Sequence, residues 1–129
     1  MGKIQLVKQA LDSVLGTQIG SLSVIEKFFS RDYIQIVDGK EIGFDEFVAH
    51  MKVLEEATES ITITIKSIAE GDNCVHTQHI AKAMKKDGSY SEYEVFACFT
   101  VLDNKIVRCE ELTRMTQGNK HDSDLGSRT

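Results

Sequence analysis

Glu111 and His79 are titratable side chains set among apolar neighbours at every second position, the pattern from which buried acid/base chemistry is built. In the run Val107, Cys109, Glu111, Thr113, Met115 the residues are mostly apolar, while Arg108, Glu110 and Arg114 take the other parity. Successive side chains of a strand point to opposite faces, so Glu111 is the charged anomaly of an inner face. Val75, Thr77, His79, Ala81 and Ala83, opposed by His76, Gln78, Lys82 and Met84, place His79 inside by the same rule. Tyr93, Val95, Ala97, Phe99 and Val101 form a third inner set, which leaves Phe96 and Cys98 for an outer apolar surface that a second subunit could cover. A carboxylate and an imidazole facing one apolar interior can serve as base and acid, because desolvation raises the carboxylate pKa. Such a pair could move a proton next to a carbonyl. The structural alternative is that both hydrogen-bond each other or the backbone and tie strands together.

Tyr33, Asp38 and His50 make a second group. Tyr33 could donate to a ligand carbonyl, or pack with a wet hydroxyl at the start of a strand. Asp38 directly precedes Gly39, the composition of a tight turn. His50 lies at the margin of its helix's apolar stripe, one position before Met51. His76-Thr77-Gln78-His79 suggests metal ligands, but residues three apart on a strand face opposite ways, so these imidazoles cannot share one ion without a bulge. No metal site is expected. Cys74, Cys98 and Cys109 are odd in number, widely spaced and each inside an expected strand, and read as buried free thiols.

The elements that must position these groups are clearest in the second half of the chain. Ser60-Ile61-Thr62-Ile63-Thr64-Ile65-Lys66 alternates as a half-buried strand does. Strands are predicted over about 59–70, 73–85, 89–102 and 105–115, joined by short turns that suit antiparallel neighbours. Residues before 58 must cover this meander. Ile4, Val7, Leu11, Val14 and Leu15 predict one helix over 3–15. A shorter helix starts at Ser21 or Ser23, the latter through a Ser-x-x-Glu capping box, and ends near Phe29, where Ser30-Arg31-Asp32 breaks it. Tyr33 to Val37 is a short strand for the sheet rim, and Phe44, Phe47, Val48, Met51 and Leu54 define a third helix that lids the sheet. Residues 1–115 make one domain, succeeded by a polar tail, 116–129, in which His121 is a surface residue.

With a net charge of −5 over 129 residues and no basic cluster, no nucleic-acid partner is expected. No apolar run approaches a membrane span, and the N-terminus lacks a signal-peptide core, so a soluble, cytoplasmic protein without a membrane partner is expected.

The order helix, helix, short strand, helix, four long strands resembles the SnoaL-like branch of the nuclear-transport-factor-two-like superfamily. Phe29-Ser30-Arg31-Asp32-Tyr33 with Asp38-Gly39 after it is similar to that family's first strand, and Asp103-Asn104-Lys105-Ile106-Val107 to its final hairpin, usually written with glycine where Asn104 stands. The resemblance implies an α+β, cone-shaped barrel: a strongly curved antiparallel sheet, covered by three N-terminal helices, around an apolar pocket. It also implies a homodimer through the outer face of the sheet. Members include cyclases, isomerases, dehydratases and proteins without catalysis. The acidic and tyrosine constellation of the ketosteroid isomerases is absent here, since residues 3–29 contain no tyrosine. The expected site is a cofactor-independent one for proton transfer on a small apolar or carbonyl-containing molecule, with Glu111 and His79 catalytic and Tyr33, His50, Phe47, Met51 and Phe99 contacting substrate. A non-catalytic ligand carrier or dimeric assembly module is the competing expectation.

Overall fold

Residues 1–118 are described by the computed structural model. Helix α1 (Lys3–Asp12) leads through a π-helical turn (Ser13–Thr17) to α2 (Leu22–Phe28), then β1 (Phe29–Val37), β2 (Lys40–Gly43), α3 (Phe44–Ala57) and four strands, β3 (Ser60–Gly71), β4 (Cys74–Met84), β5 (Tyr90–Leu102) and β6 (Lys105–Gln117). The strands form one sheet in the order β2-β1-β6-β5-β4-β3. The four long strands are an antiparallel meander, as expected; β1 joins β6 in parallel, so the sheet as a whole is mixed. The chain is an α+β cone, with α1, α3 and the π turn against the concave face.

Turn chemistry sets the register. Asp38 and Gly39 at φ 50° and 88° close the two-residue hairpin that pairs Val37 with Lys40, and Asp103 and Asn104 at 51° and 61° do the same for Leu102 and Lys105. A two-residue loop with both φ values positive has the twist that antiparallel strands need, and Asn and Asp tolerate it as Gly does. In the β4–β5 loop Asp87 Oδ1 accepts from the Ser89 backbone N at 2.9 Å while Gly88 adopts φ 89°.

Curvature comes from bulges. In β3 the pairing steps from Ile65–His79 to Ser67–Gln78, leaving Lys66 as the extra residue. The half-buried positions accordingly run Ile61, Ile63, Ile65 and then Ile68. In β6 the pairing steps from Thr100–Arg108 to Val101–Ile106, so Val107 is extra. Ile106, at 0% exposure, therefore takes the inner place expected of Val107, while Cys109 and the residues after it keep the predicted parity. A bulge bends its strand and increases local twist, which makes a concave sheet from strands this long.

The first helix is shorter than its apolar pattern implies. α1 ends at Asp12, and the Gln18 backbone N donates to Ser13 O at 2.9 Å, widening the next turn. Val14 stays on the buried stripe with Leu6, Val7, Ala10 and Leu11. α2 is capped at Ser21, one of the two predicted starts, and the capping box from Ser23 does not form. Lys105, the first residue of β6, donates through Nζ to the Glu26 and Lys27 carbonyls at 2.5 and 3.0 Å, satisfying acceptors at the end of α2. Ser30-Arg31-Asp32 continues as strand, so β1 is nine residues long, and it lies inside the sheet with β2 at the edge. α3 buries Phe44, Phe47, His50, Met51 and Leu54, and its first-turn Glu46 carboxylate accepts from the Gly43 N at 3.5 Å. β6 extends to Gln117, past the expected boundary at 115; of the polar tail, residues 119–129, with His121, lie outside the described residues.

Candidate functional site

Between the concave face and the helices lies a cavity of about 100 Å³. Its wall includes all seven predicted site residues: Glu111, His79, Tyr33, His50, Phe47, Met51 and Phe99. Most of the rest is aliphatic, from α1, the π turn, α3 and β3 to β5. Polar groups interrupt it on β6 with β1, on β4 and on α3.

The first is built on β6 and β1. Glu111 is half-buried; Cys109 Sγ donates to its Oε2 at 3.6 Å and Thr113 Oγ1 to its Oε1 at 3.4 Å. The loss of water raises its pKa from 4.5 to about 7, those two donors pull it partly back, and the Asp38 charge adds to the rise. Asp38 grips the same segment from the β1–β2 turn: its backbone N donates to Glu111 O at 3.0 Å and its Oδ1 accepts from the Thr113 N at 2.9 Å. Its role is structural, as the Asp-Gly composition indicated, yet it also acts electrostatically on Glu111.

Tyr33 packs, but without the wet hydroxyl of the packing alternative. It is 1% exposed, and its hydroxyl donates to Gln35 Oε1 at 2.9 Å. Its ring stacks edge-on against Phe29 and Phe47, with centroids 4.7 and 4.9 Å away, which fixes the hydroxyl's direction. Burial, with Cys109 and Glu111 near by, holds its pKa well above 10, so it stays a neutral donor. Gln35, paired in register with Cys109, is a wall residue that alternation did not single out. It could not, because Tyr33, Ile34, Ile36 and Val37 place apolar residues on both parities of β1.

The second polar group is His79 on β4, 2% exposed, with Nδ1 2.9 Å from Thr77 Oγ1. Burial alone lowers its pKa from 6.5 to about 4, so the imidazole is neutral at pH 7. His50 is buried and borders the cavity from α3.

Register explains why Glu111 and His79 do not touch. Glu111 pairs with Ala97 and Ala97 with Thr77, so His79 stands two strands across and two residues along. On a flat sheet this is roughly 12 Å between Cα atoms, from strand spacings of ~4.8 Å and rises of ~3.4 Å. The concave bend aims both side chains at the space between them. The alternative in which the two hydrogen-bond each other is therefore not what forms; each is anchored by its own strand's threonine.

The three thiols divide. Cys109 is buried, as expected, whereas Cys74 and Cys98 are half-buried on the outer face beside exposed His76. His76 and His79 face opposite ways and cannot share an ion, as alternation required.

Fold and cavity together define a class: a cone-shaped α+β barrel with an apolar, acid-bearing interior. The chain has the fold of the SnoaL-like polyketide cyclases and ketosteroid-isomerase-like proteins, and it shares a family with a fungal relative. It is 35% identical over 100 residues to the uncharacterized protein C11D3.04c of Schizosaccharomyces pombe (strain 972), covering 78% of this chain and 77% of that protein. The same fold occurs in a protein from Jannaschia sp. CCS1 described as a SnoaL-like polyketide cyclase, with TM-score 0.71 and 16% identity over 88% of this chain and 89% of that one. An LEH-like epoxide hydrolase from M. tuberculosis gives TM-score 0.73 and 15% identity over 95% of this chain and 86% of that one. At these identities the likeness to the solved structures is one of fold. No protein-family model matches the sequence.

Proposed function

We propose that the cavity binds a small, largely apolar molecule with a carbonyl or similar electron-accepting oxygen and moves a proton within it, without a cofactor. The observation that carries this is a carboxyl held near neutrality by desolvation, facing a neutral imidazole across one apolar cavity. A base is most effective when its pKa lies near the working pH, which is where Glu111 is set. In the proposed step, the Glu111 carboxylate removes a proton from the carbon next to the carbonyl. His79, with Thr77 donating to Nδ1, keeps its own proton on Nε2 and donates a hydrogen bond to the oxygen on which charge develops. The Glu111 carboxylic acid then returns the proton to a different carbon, giving isomerisation, or to a leaving hydroxyl, giving dehydration.

Tyr33 acts one step back in this scheme. Its hydroxyl is committed to Gln35 Oε1, so the Gln35 NH₂ is the group that meets the substrate oxygen on the β1 side. Phe47, Met51 and Phe99 supply the apolar contacts, and His50 assists from α3. The cavity is of the order of the ~150 Å³ void that accepts a benzene ring, which limits the substrate to about that size unless the helices move.

The test uses cyclohexanone, a ring of that size, in deuterated buffer, with loss of the α-proton signal monitored by NMR. Catalysed exchange should rise with pH through about 7 as Glu111 ionises. It should fall by at least ~100-fold in Glu111→Gln and by ~10-fold or more in His79→Ala. Exchange no faster than buffer alone, or unchanged in Glu111→Gln, would remove the enzymatic reading. The ligand-carrier reading would then stand on a different observation, that Phe47, Met51, Leu54 and Phe99 already crowd the interior.

A second copy of the chain is the proposed partner for the outer face, where Phe96 and Leu112 face each other in register at 50% and 67% exposure. The setting proposed for the protein is cytoplasmic. No helix among the described residues is long and apolar enough to cross a membrane.

A further inference from the structure

On the convex face of the sheet, away from the cavity, β4 and β5 bring together a set of soft ligands beside the end of β3. His76 and Cys98 are direct cross-strand partners, and Cys74 lies two residues back on the same face of β4. His76 Nε2 is 3.4 Å from Cys74 Sγ and 4.0 Å from Cys98 Sγ, and the three ligand atoms lie within 4.8 Å of one another. A tetrahedral zinc ion with bonds of about 2.3 Å to sulfur and 2.0–2.1 Å to nitrogen places its sulfur and nitrogen ligands roughly 3.5 Å apart. The observed spacing brackets that value.

Two features separate this from a chance meeting of side chains. Gly71 pairs with Cys74 at the end of β3, and a Cβ there would stand 3.1 Å from Cys74 Sγ and 4.0 Å from His76 Nε2. A glycine thus leaves open the space beside the ligands. A disulfide is the obvious competing use of two neighbouring cysteines, but Cys74 and Cys98 are diagonal neighbours, about 7–8 Å apart at Cα in a regular pair. Bridging favours about 4.4–6.8 Å, so closing the bond requires the backbone to move.

We propose that Cys74, His76 and Cys98 form a binding site for a single thiophilic divalent cation of the zinc type, clamping β4 to β5 near the β3–β4 hairpin. The fourth position is left to water or to Glu110, which pairs with Cys98 from β6 and meets Arg108 at 3.9 Å. Two thiolates and one imidazole are the donor set that such an ion prefers over Mg²⁺ or Ca²⁺. Twenty-two residues separate His76 from Cys98 along the chain, a spacing that suggests no ligand pair; the register of two strands assembles the site instead.

The experiment is titration of the reduced, full-length protein with Co²⁺, then displacement with Zn²⁺. One equivalent of cobalt per chain should give tetrahedral bands and thiolate-to-metal charge transfer, both lost as Zn²⁺ is added. Cys74→Ser and Cys98→Ser should each weaken binding by about 100-fold or more, since loss of even an outer-sphere partner costs 10- to 100-fold. Gly71→Ala should weaken it more mildly, and Cys109→Ser, buried on the other face, should leave it unchanged. If a cysteine variant does not fold, exposed His76→Asn carries the same expectation. A thiolate-free spectrum, binding equal to that of the Cys74→Ser/Cys98→Ser double variant, or disulfide formation in place of metal uptake would each overturn the proposal.

Discussion

Glu111 and His79 are displaced in opposite directions by the same cause, the loss of water around them. Their effects on stability therefore oppose one another. Below about pH 4.5 Glu111 is protonated in both folded and unfolded chains; as pH rises to about 7 the unfolded chain releases its proton first, and stability falls. His79 is neutral in both states above 6.5, and as pH drops towards 4 the unfolded chain takes up a proton that the folded one resists, so stability falls in that direction. Between about pH 5 and 6.5 the two slopes should nearly cancel in the natural sequence. Each variant should expose the other slope: Glu111→Gln should be about 2 kcal/mol less stable at pH 5 than at pH 7, and His79→Gln more stable at pH 5 by a similar amount. Urea unfolding at the two pH values measures this, and parallel behaviour of both variants would contradict it. That these two residues share an interior was legible from alternation alone, since each breaks a run of apolar or small side chains. The desolvation that raises the Glu111 pKa was legible with it; the opposing pulls of Cys109, Thr113 and Asp38 on that carboxyl were not, because those contacts need the strand pairing and the β1–β2 turn.

The element that matters most to the site is the β1–β2 hairpin, whose turn residue Asp38 holds β6 by two hydrogen bonds around Glu111. Asp38→Asn keeps the Oδ1 acceptor and tolerates the positive φ, but removes the charge that raises the Glu111 pKa. It should lower that pKa, moving the rising limb of the exchange profile to lower pH, with little loss of stability. Asp38→Ala loses the acceptor as well and strains the backbone at φ 50°, so it should be less stable than Asp38→Asn in urea unfolding. A pH profile alike in Asp38→Asn and the natural chain would show that the charge has no influence. The sequence revealed the elements through their periodicity, and the change from Ile65 to Ile68 carried the signature of the β3 bulge. The bulge at Val107 in β6 was hidden, because Ile106 and Val107 are both apolar and either could be the inner one. For α1, an unbroken apolar stripe reads the same whether Ser13–Thr17 continues as α-helix or widens into a π turn.

At the scale of the whole molecule, the convex surface and the sheet's two edges decide what the cone does with other chains. Phe96→Glu places a charge in the middle of the proposed self-interface and should convert a dimer to a monomer in sedimentation, without changing the fold by circular dichroism. A species of unchanged mass would exclude this face. Helices, strands and their order were readable because local patterns encode them; the parallel β1–β6 pairing and the Cys74–His76–Cys98 grouping were not, since both depend on which strands become neighbours. The sheet runs from β2 to β3 without closing on itself; its β3 edge is covered by α1 and the π turn, where a Cβ on Gly16 would lie 3.6 Å from Ile61 O, and its β1–β2 end by α3. The wall is thus a garment with one seam, closed by helices where strand joins strand elsewhere through ladders of backbone bonds. On the proposed binding function, a guest larger than the resting void would be expected to enter from that flank, by displacement of the first helix, with the strand pairing left intact.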